Sequence, residues 1–424
     1  MNFHPTRSFA LEMDARDELA SFRDAFLIHD PNLLYMDGNS LGRLPKTARE
    51  RLQTVIEEEW GRDLIRSWNN AGWWQAPIRV GEKIAPLLGA APGQVIVTDS
   101  VSLNLFKLSI AALNLLPHRQ RILTDALNFP SDLYILQGIV RLLGGRHEIV
   151  RINSRDNDVT PDLDQLTQAL DENTALVTFS HVLFKSGYLY DMQEITHLAH
   201  QKGALVLWDL SHSAGAVPVE LDACEVDFAV GCTYKYLNGG PGAPAFLYVN
   251  RRLQEKIHSP IWGWWGQTDP FAFDLDYSPA NGVNRFLLGS QPILSLLTLE
   301  AALEPLLQAG MERIRQKSIQ LTEYLIYLVD QYLVPFGFTL GSPRDFKQRG
   351  SHVSIRHPEG YRINRALIEE MKVIPDFRAP DNIRLGVAPL YTSFLEVWET
   401  VGRIRQVTLE KRYEKYPQER LTVT

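Results

Sequence analysis

The chain has 424 residues, of which 45% are hydrophobic and 22% charged, so it has the composition of a globular protein and the length of two domains. Its formal net charge is −7 and no basic block occurs, which argues against nucleic acid and against an anionic membrane surface as partners. The two cysteines, Cys224 and Cys232, lack metal-ligand spacing and indicate a reducing compartment without a disulfide framework.

The N-terminal segment carries charges where a signal peptide needs an apolar core. No apolar run approaches the ~18 residues that a membrane span requires. We therefore expect a soluble, cytoplasmic protein without a bound metal.

The first part of the chain predicts amphipathic helices over residues 10–28 and 45–60, joined by a turn-rich loop at 35–42. That loop is either a plain connector or a segment that reaches over a ligand. Three tryptophans fall within residues 68–74 without a helical or strand period. They either anchor a loop in the core or line an aromatic pocket.

Short apolar runs then alternate with helical segments, at 94–98, 121–124, 147–152, 175–179, 204–208, 226–231 and 245–249. This alternation predicts a mostly parallel sheet with helices on its faces. The first run leads through Ser100 into an apolar helix over 103–116. Such a strand-to-helix turn is an anion site, although a serine that only caps the helix would look the same.

Reactive side chains follow several of these runs. Because the carboxyl ends of parallel strands share one edge of a sheet, we expect them to lie together. They are Phe129, Asp132, Ser180, Asp209, His212 and Lys235.

Asp209 and Lys235 fall at the ends of two neighbouring strands, which predicts a site for pyridoxal phosphate (PLP). PLP is carried as a Schiff base on a lysine, and its pyridinium nitrogen needs an acidic partner. A free lysine has a pKa of about 10.4, so the site must lower that pKa by burial or nearby cations. Taken singly, Asp209 is better explained as a cap or turn residue and Lys235 as a solvated charge, and the prediction depends on the two together.

A second Trp-rich loop occupies residues 261–266, and a long helical stretch is predicted from 289 to about 333. Strand candidates at 338–340, 352–355 and 383–387, with a helix from Ser393, predict a smaller α+β unit. We expect residues 41–291 to form a large PLP-binding domain, and residues 1–40 with 292–424 to form a small domain.

Over most of its length the chain resembles kynureninases, PLP enzymes of the aspartate-aminotransferase-like fold related to class V aminotransferases. The motifs that carry the resemblance are GNSLG (38–42), FPSD (129–132), WDLSHSAG (208–215), CTYKYLNGGPG (232–242), GWWG (263–266) and IRLGVAPLY (383–391). The resemblance implies an α/β protein of PLP-dependent transferase fold type I. Its large domain would contain a central, mostly parallel sheet flanked by helices, beside a smaller α+β domain.

The resemblance also implies roles for single residues. Lys235 would form the Schiff base and act as the general acid/base, Asp209 would pair with the pyridinium nitrogen, and Tyr234 would protonate the β-carbon of the substrate. The cofactor-binding set would comprise these three and Val101, Ser102, Phe129, Pro130, Ser131, Asp132, Ser180 and His212, with Trp264 and Ser290 from the other subunit of a homodimer.

For the substrate, the resemblance implies that Arg384 clamps the α-carboxylate, while Ser40 and Trp68 border the aromatic end. The implied reaction is hydrolytic Cβ–Cγ cleavage of L-kynurenine to anthranilate and L-alanine, in tryptophan catabolism or NAD biosynthesis. Whether 3-hydroxykynurenine is also cleaved, to 3-hydroxyanthranilate, stays open.

Three other functions are alternatives to this one. A cysteine desulfurase or selenocysteine lyase shares the fold, but the desulfurase needs a thiol well beyond the PLP lysine, and no cysteine follows Lys235. An aminotransferase is not excluded by residue type. A non-catalytic PLP-binding protein is disfavoured because every expected polar group is present.

Overall fold

A computed structural model describes residues 3–419. The helices in this range are α1 Arg7–Ala15, α2 Lys46–Thr54, α3 Ser67–Asn70, α4 Ala76–Ile84, α5 Val101–Leu115, α6 Pro130–Leu142, α7 Leu163–Ala169, α8 Met192–Gln201, α9 Arg251–Gln254, α10 Ile293–Ala302, α11 Glu304–Ala309, α12 Met311–Tyr332, α13 Gly360–Met371 and α14 Phe394–Leu409. The strands are β1 Leu34–Tyr35, β2 Val95–Val97, β3 Arg121–Asp125, β4 Glu148–Ile152, β5 Thr174–Ser180, β6 Leu205–Asp209, β7 Phe228–Gly231, β8 Phe246–Val249, β9 Thr339–Leu340, β10 His352–Arg356, β11 Val373–Ile374, β12 Asp376–Arg378 and β13 Asn382–Gly386.

The main sheet has seven strands in the order β2-β8-β7-β6-β5-β3-β4. All neighbours are parallel except β8, which runs antiparallel to both β2 and β7. In register, Ser180 on β5 lies beside Asp209 on β6, which lies beside Val230 on β7. The predicted mostly parallel sheet is therefore confirmed, and its carboxyl ends share one edge.

Both faces of this sheet are buried. Along β6, Leu205 and Leu207 face one hydrophobic core together with α5, whereas Val206 and Trp208 face a second core together with α8. Alternate residues of a strand point to opposite faces, so both sets must be apolar. This is why the strand is an unbroken apolar run in the sequence rather than an alternating one.

A smaller antiparallel sheet, in the order β12-β13-β10-β9, packs with α12, α13 and α14 around a separate core. Ala10, Met13, Leu34 and Met36 from the N-terminal segment join that core. By contrast, α10 and α11 pack with the main sheet. The domain division into 41–291 and 1–40 plus 292–424 stays a prediction, and residues 1–2 and 420–424 of the latter lie outside the described residues.

Two predicted helices are wrong in their extent, and both errors have the same cause. The helix predicted over 10–28 ends at Ala15 and is followed by a 3₁₀ turn, Ala20–Ala25. The stretch predicted over 289–333 breaks before Glu304 and again at Gly310, where φ is 78°. In each case one end packs in the main core and the other in the smaller core, which a single straight helix could not reach. Residues 46–60 are helical as expected, with a π-helical segment over Val55–Trp60.

Within residues 3–419, no single helix is both long and apolar enough to cross a membrane. One bent pair, Ile293–Ala309 with Met311–Tyr332, meets those criteria only when its two halves are combined across a 79° bend.

Candidate active site

A cavity of about 170 Å³ opens at the carboxyl edge of the main sheet. It is lined by Ser100, Val101, Ser102, Phe129, Ser131, Asp132, Ser180, Asp209, Ser211, His212, Cys232, Tyr234, Lys235 and Ala245. The lining combines an amine, two carboxyl groups, an imidazole and several hydroxyls in one small space. The predicted convergence of the strand-end residues with Lys235 is thus what the structure shows.

Lys235 lies in the loop between β7 and β8. The loop is held by Thr233, whose hydroxyl donates to the carbonyl of Pro244 (2.6 Å), and by a left-handed turn at Asn238. The Lys235 Nζ lies 2.9 Å from His212 Nε2. Burial and the charge of Lys235 hold the pKa of His212 well below its usual value, so this imidazole stays neutral and can accept a hydrogen bond from the ammonium.

Asp209 ends β6 and is held by Ser211, whose backbone N–H (2.8 Å) and hydroxyl (2.6 Å) both donate to Oδ1. The carboxyl group of Asp132 lies nearby at the start of α6. Burial and the neighbouring Asp209 carboxylate raise the pKa of Asp132 well above its usual value, and burial raises that of Asp209 as well. Two buried carboxyl groups in contact would favour a ligand that brings positive charge between them.

Two helices begin at the other end of the cavity. The α5 helix is capped by Ser100, whose hydroxyl accepts from the Leu103 N–H (3.3 Å). The α6 helix starts at Pro130, and the hydroxyls of Ser102 and Ser131 lie 3.1 Å apart across the gap between the two helices. Helix N-termini carry free N–H groups and the positive end of the dipole, so this end of the cavity suits an anion.

The turn before α6 places the Phe129 ring at the mouth of the cavity, 42% exposed and edge-on to Phe184. Ser180 donates to the Asn128 side chain (2.7 Å), and the Asn128 oxygen also accepts from the Phe129 N–H (2.8 Å). Ser180 therefore fixes the Phe129 turn besides lining the cavity.

Asp125 ends β3, just before the same turn, and it predicts that the stability of the fold depends on pH. Asp125 is fully buried and accepts a hydrogen bond from Tyr190 (2.5 Å), and burial raises its pKa to about 6. A carboxyl group whose pKa is raised on folding stabilises the fold below its ordinary pKa, and this contribution is lost as the pH rises through about 6. Asp125→Asn carries no charge at this position and lacks this contribution. Between about pH 5 and pH 7.5 we therefore expect the free energy of unfolding of wild type to fall by ~1.5 kcal/mol more than that of Asp125→Asn. Urea unfolding at both pH values tests this, with exposed Asp164→Asn as a control that should track wild type.

Arg384, on β13, lies behind the cavity and is buried. Its guanidinium donates to the Phe184 carbonyl (2.5 Å), to the Ser40 hydroxyl (3.0 Å) and to the Asp376 carboxylate. Burial lowers its pKa to about 10, so it remains charged at neutral pH. Ser40 and Arg384, both predicted to contact substrate, are therefore neighbours.

The loop at 38–42 presses against the loop that carries Lys235. The Gly42 N–H donates to the Tyr234 carbonyl (2.8 Å), and a Cβ on Gly42 would collide with the Lys235 carbonyl and with Asn238. Likewise a Cβ on Gly386 would collide with Asn39. Two glycines of the GNSLG and IRLGVAPLY motifs are thus needed for close approach.

We expect Gly42→Ala to displace the Lys235 loop. A shift of about 1 Å in a reacting group costs roughly 100-fold in rate, so kcat/KM should fall by about that factor. Gly138→Ala is the matched control, because a Cβ there meets no atom within 4 Å. It sits in α6 and should keep wild-type activity, and unchanged kinetics in Gly42→Ala would contradict the close-packing argument.

Six predicted site residues do not line this cavity: Ser40, Pro130 and Arg384 lie outside its lining, and the other three line a different cavity. Trp68, Trp264 and Ser290 line a second one of about 410 Å³, together with Ile65, Asn69, Trp74 and Phe271. Trp264 is 43% exposed and Phe271 63% exposed, so this cavity opens on an aromatic surface. Within a single subunit, the structure does not bring these residues to Lys235.

Several side chains beside the site have no counterpart in the sequence prediction. His352 is fully buried with its ring 5.5 Å from that of His212, and Asp376 bonds to Arg384. Ser211 holds Asp209. The Asp-x-Ser spacing could have indicated Ser211, whereas His352 and Asp376 reach the site only through strand pairing in the smaller sheet.

Known proteins are similar to this chain in sequence and in fold. A family model for the kynureninase C-terminal domain matches residues 314–404, and one for aminotransferase class I and II matches residues 35–234. The chain is 45% identical to the kynureninase of Pseudomonas fluorescens over 412 residues, 96% of this chain and 97% of that one. It is also 45% identical to a kynureninase of Burkholderia pseudomallei over 406 residues, 95% of each chain.

Solved structures with lower identity share the fold. A cysteine desulfurase of Escherichia coli superposes with a TM-score of 0.78 at 18% identity, covering 93% of this chain and 99% of that one. A variant of C-DES with glycine covalently linked to its PLP cofactor gives 0.75 at 22% identity, covering 88% and 97%. These similarities confirm the predicted PLP-dependent transferase fold. The near full-length identity to known kynureninases goes further, and shows that the chain belongs to the kynureninase family.

Proposed function

We propose that this protein is a PLP-dependent hydrolase that cleaves the Cβ–Cγ bond of L-kynurenine, giving anthranilate and L-alanine. One observation carries the proposal: a chain 45% identical to kynureninase over 96% of its length places Lys235, Asp209 and His212 around one cavity at the sheet edge. Membership of the kynureninase family indicates L-kynurenine as the substrate, and the residues that line the cavity provide the functional groups that the reaction needs.

The chemistry of the cavity fits PLP at each of its ends. The N-termini of α5 and α6 with the hydroxyls of Ser102 and Ser131 suit a phosphate. The buried Asp209 carboxylate suits a pyridinium nitrogen, and the Lys235 amine suits an aldehyde. The His212 Nδ1 is buried without a partner among residues 3–419, and because Nε2 of the neutral ring accepts from Lys235, Nδ1 carries the proton and has a hydrogen bond to give.

We propose the following roles for the predicted residues. Bound here, the cofactor would supply a sink for the electrons released at the substrate α-carbon. The residues that would hold it are Val101, Ser102, Phe129, Pro130, Ser131, Asp132, Ser180, Asp209, His212, Tyr234 and Lys235.

Lys235 would take the proton from the α-carbon and later return it. Its neighbour His212 is neutral, so it can share a proton with the lysine without adding a competing charge. Burial raises the pKa of Tyr234, which therefore keeps its proton and fits the role of donor to the β-carbon. Arg384 would orient the substrate through its α-carboxylate, as a planar guanidinium suits.

We propose that two copies form a homodimer in which Trp264 and Ser290 of each subunit complete the site of the other. The supporting observation is that they line an exposed aromatic cavity rather than the one around Lys235. Trp68, on the same surface, would then border the aromatic end of the substrate in the partner's site. Analytical ultracentrifugation tests the assembly, and a monomer with full activity would contradict it.

We also propose that the protein acts in the cytoplasm, with which its two free cysteines are compatible. Tryptophan catabolism or NAD biosynthesis is the pathway in which the reaction would serve, and 3-hydroxykynurenine is the second substrate to be compared.

The decisive experiment mixes purified holoenzyme with L-kynurenine and follows anthranilate fluorescence, with L-alanine measured in parallel. We expect equimolar anthranilate and L-alanine. A keto acid with a pyridoxamine form of the enzyme would favour an aminotransferase, and binding without any product would favour an inert PLP protein. Comparing kcat/KM for L-kynurenine and 3-hydroxykynurenine then establishes the preferred substrate.

A further inference from the structure

The guanidinium of Arg384 is already occupied by a carboxylate of the protein itself. One oxygen of Asp376 accepts from Arg384 and from the Ser40 hydroxyl (3.2 Å), and the other accepts from Arg378 (2.6 Å). Asp376 therefore joins two arginines. A further donor of Arg384 is used by the Phe184 carbonyl, while its Nε has no partner among residues 3–419.

Strand pairing places these three groups side by side. Asp376 on β12 lies directly opposite Arg384 on β13, and Arg378 is two residues further along β12. Residues opposite one another, and residues two apart on a strand, share one face of a sheet. The side chains of Arg384 and Asp376 are each 2% exposed, whereas that of Arg378 is 37% exposed. The carboxylate thus has an inner cation beside the site and an outer cation toward solvent.

This arrangement conflicts with simple docking of an α-carboxylate. A substrate carboxylate on Arg384 would lie against the carboxylate of Asp376, and like charges in a buried site repel strongly. An unpaired buried Arg384 would be equally unfavourable in the absence of substrate. An exchange of partners avoids both costs, because Asp376 keeps Arg378 when it gives up Arg384.

We propose that Asp376 is a positioning residue that occupies Arg384 until the substrate arrives, and that Arg378 then holds Asp376 while the α-carboxylate takes its place on Arg384. The proposal rests on the proposed role of Arg384 as the carboxylate clamp. Asp376 and the substrate compete for one guanidinium, and Arg378 sets the balance between them.

Competition predicts effects of opposite sign in two variants. In Arg378→Gln, Arg384 is the one cation left that bonds to Asp376. We therefore expect L-alanine to bind about tenfold more weakly and the KM for L-kynurenine to rise about tenfold, with kcat within about twofold of wild type. In Asp376→Asn the competing charge is gone, so we expect L-alanine to bind roughly threefold more tightly. The double variant should bind L-alanine about as tightly as Asp376→Asn alone, since Arg378 acts through the Asp376 charge and the two effects are therefore not additive.

The measurement is a titration of purified holoenzyme with L-alanine, followed through the absorbance of the bound cofactor, beside kcat and KM. Arg344→Gln is the control, because Arg344 forms an exposed ion pair with Asp330 in the smaller domain and should behave as wild type. Thermal unfolding of each variant separates binding effects from misfolding.

Two results would overturn the exchange: unchanged L-alanine affinity in Arg378→Gln, or weaker affinity in both single variants, as a purely structural role would give. If Asp376→Asn fails to fold, the partly exposed Arg378→Gln still decides the question. A wild-type enzyme that binds L-alanine but releases no anthranilate would contradict the proposed function while leaving the exchange testable.

Discussion

Replacing Lys235 by alanine is expected to lower kcat for L-kynurenine by about four orders of magnitude or more, because the chain would lose both its covalent anchor and its proton carrier. Among the described residues, 3–419, no other amine lines the cavity. Lys235→Arg keeps the charge beside His212 but provides no nucleophilic amine, and it should be equally inactive. Stopped-flow or long-time anthranilate fluorescence measures the residual rate.

The matched control is Lys185→Ala. Lys185 pairs with the exposed Asp158 and does not line the cavity, so its loss should leave kcat unchanged. Activity above about 1% of wild type in Lys235→Ala would contradict the assignment, since general acid–base catalysis alone contributes more than that factor.

Asp209→Asn is expected to have the second largest effect, a fall in kcat of about 100- to 1,000-fold, equivalent to roughly 3–4 kcal/mol of transition-state stabilisation. The amide has nearly the shape of the carboxylate, and its oxygen can still accept from the Ser211 N–H and hydroxyl. What it lacks is the negative charge that would keep the pyridinium nitrogen protonated. Single-turnover kinetics and the absorbance spectrum of the holoenzyme measure the two consequences separately.

Ser211→Ala distinguishes the charge of Asp209 from its orientation. This variant removes one of the two hydrogen bonds that Ser211 donates to Asp209 and keeps the charge, so about a tenfold loss in kcat is expected. Full activity in Asp209→Ala would overturn the assignment of that carboxylate. An effect of Ser211→Ala as large as that of Asp209→Asn would instead assign the loss to geometry.

The part of the site that could be predicted depends on local sequence. Asp209 and Lys235 each follow an apolar run within a few residues, and the rule that parallel strands share a carboxyl edge brought them together. The helix predicted from Ser393 is equally local, and the structure has it, with a capping box at Ser393. Where a structural feature depends only on the residues of one short segment, the sequence alone is sufficient to predict it.

The part that could not be predicted depends on long-range pairing. Asp376 reaches Arg384 because β12 pairs with β13, and His352 reaches His212 from β10 of the smaller sheet. The antiparallel direction of β8 has no signal either, since a short apolar run after a Gly-Pro loop has the same pattern in both directions. The breaks at Ala15 and Gly310 follow from two cores that compete for one segment.

The reversed direction of β8 also determines the width of the edge at which the site lies. Because β2 is antiparallel to β8, it is again parallel to β7 and β6, and its carboxyl end brings the start of α5 to the same rim as Asp209. Three strand spacings separate β2 from β6, roughly 14 Å at the usual distance between strands. Side chains and loops from both sides reach inward to line one cavity, and the amine of Lys235 enters it from the hairpin in between. The single reversed strand thus adds one spacing to this span without moving the start of α5 to the other rim.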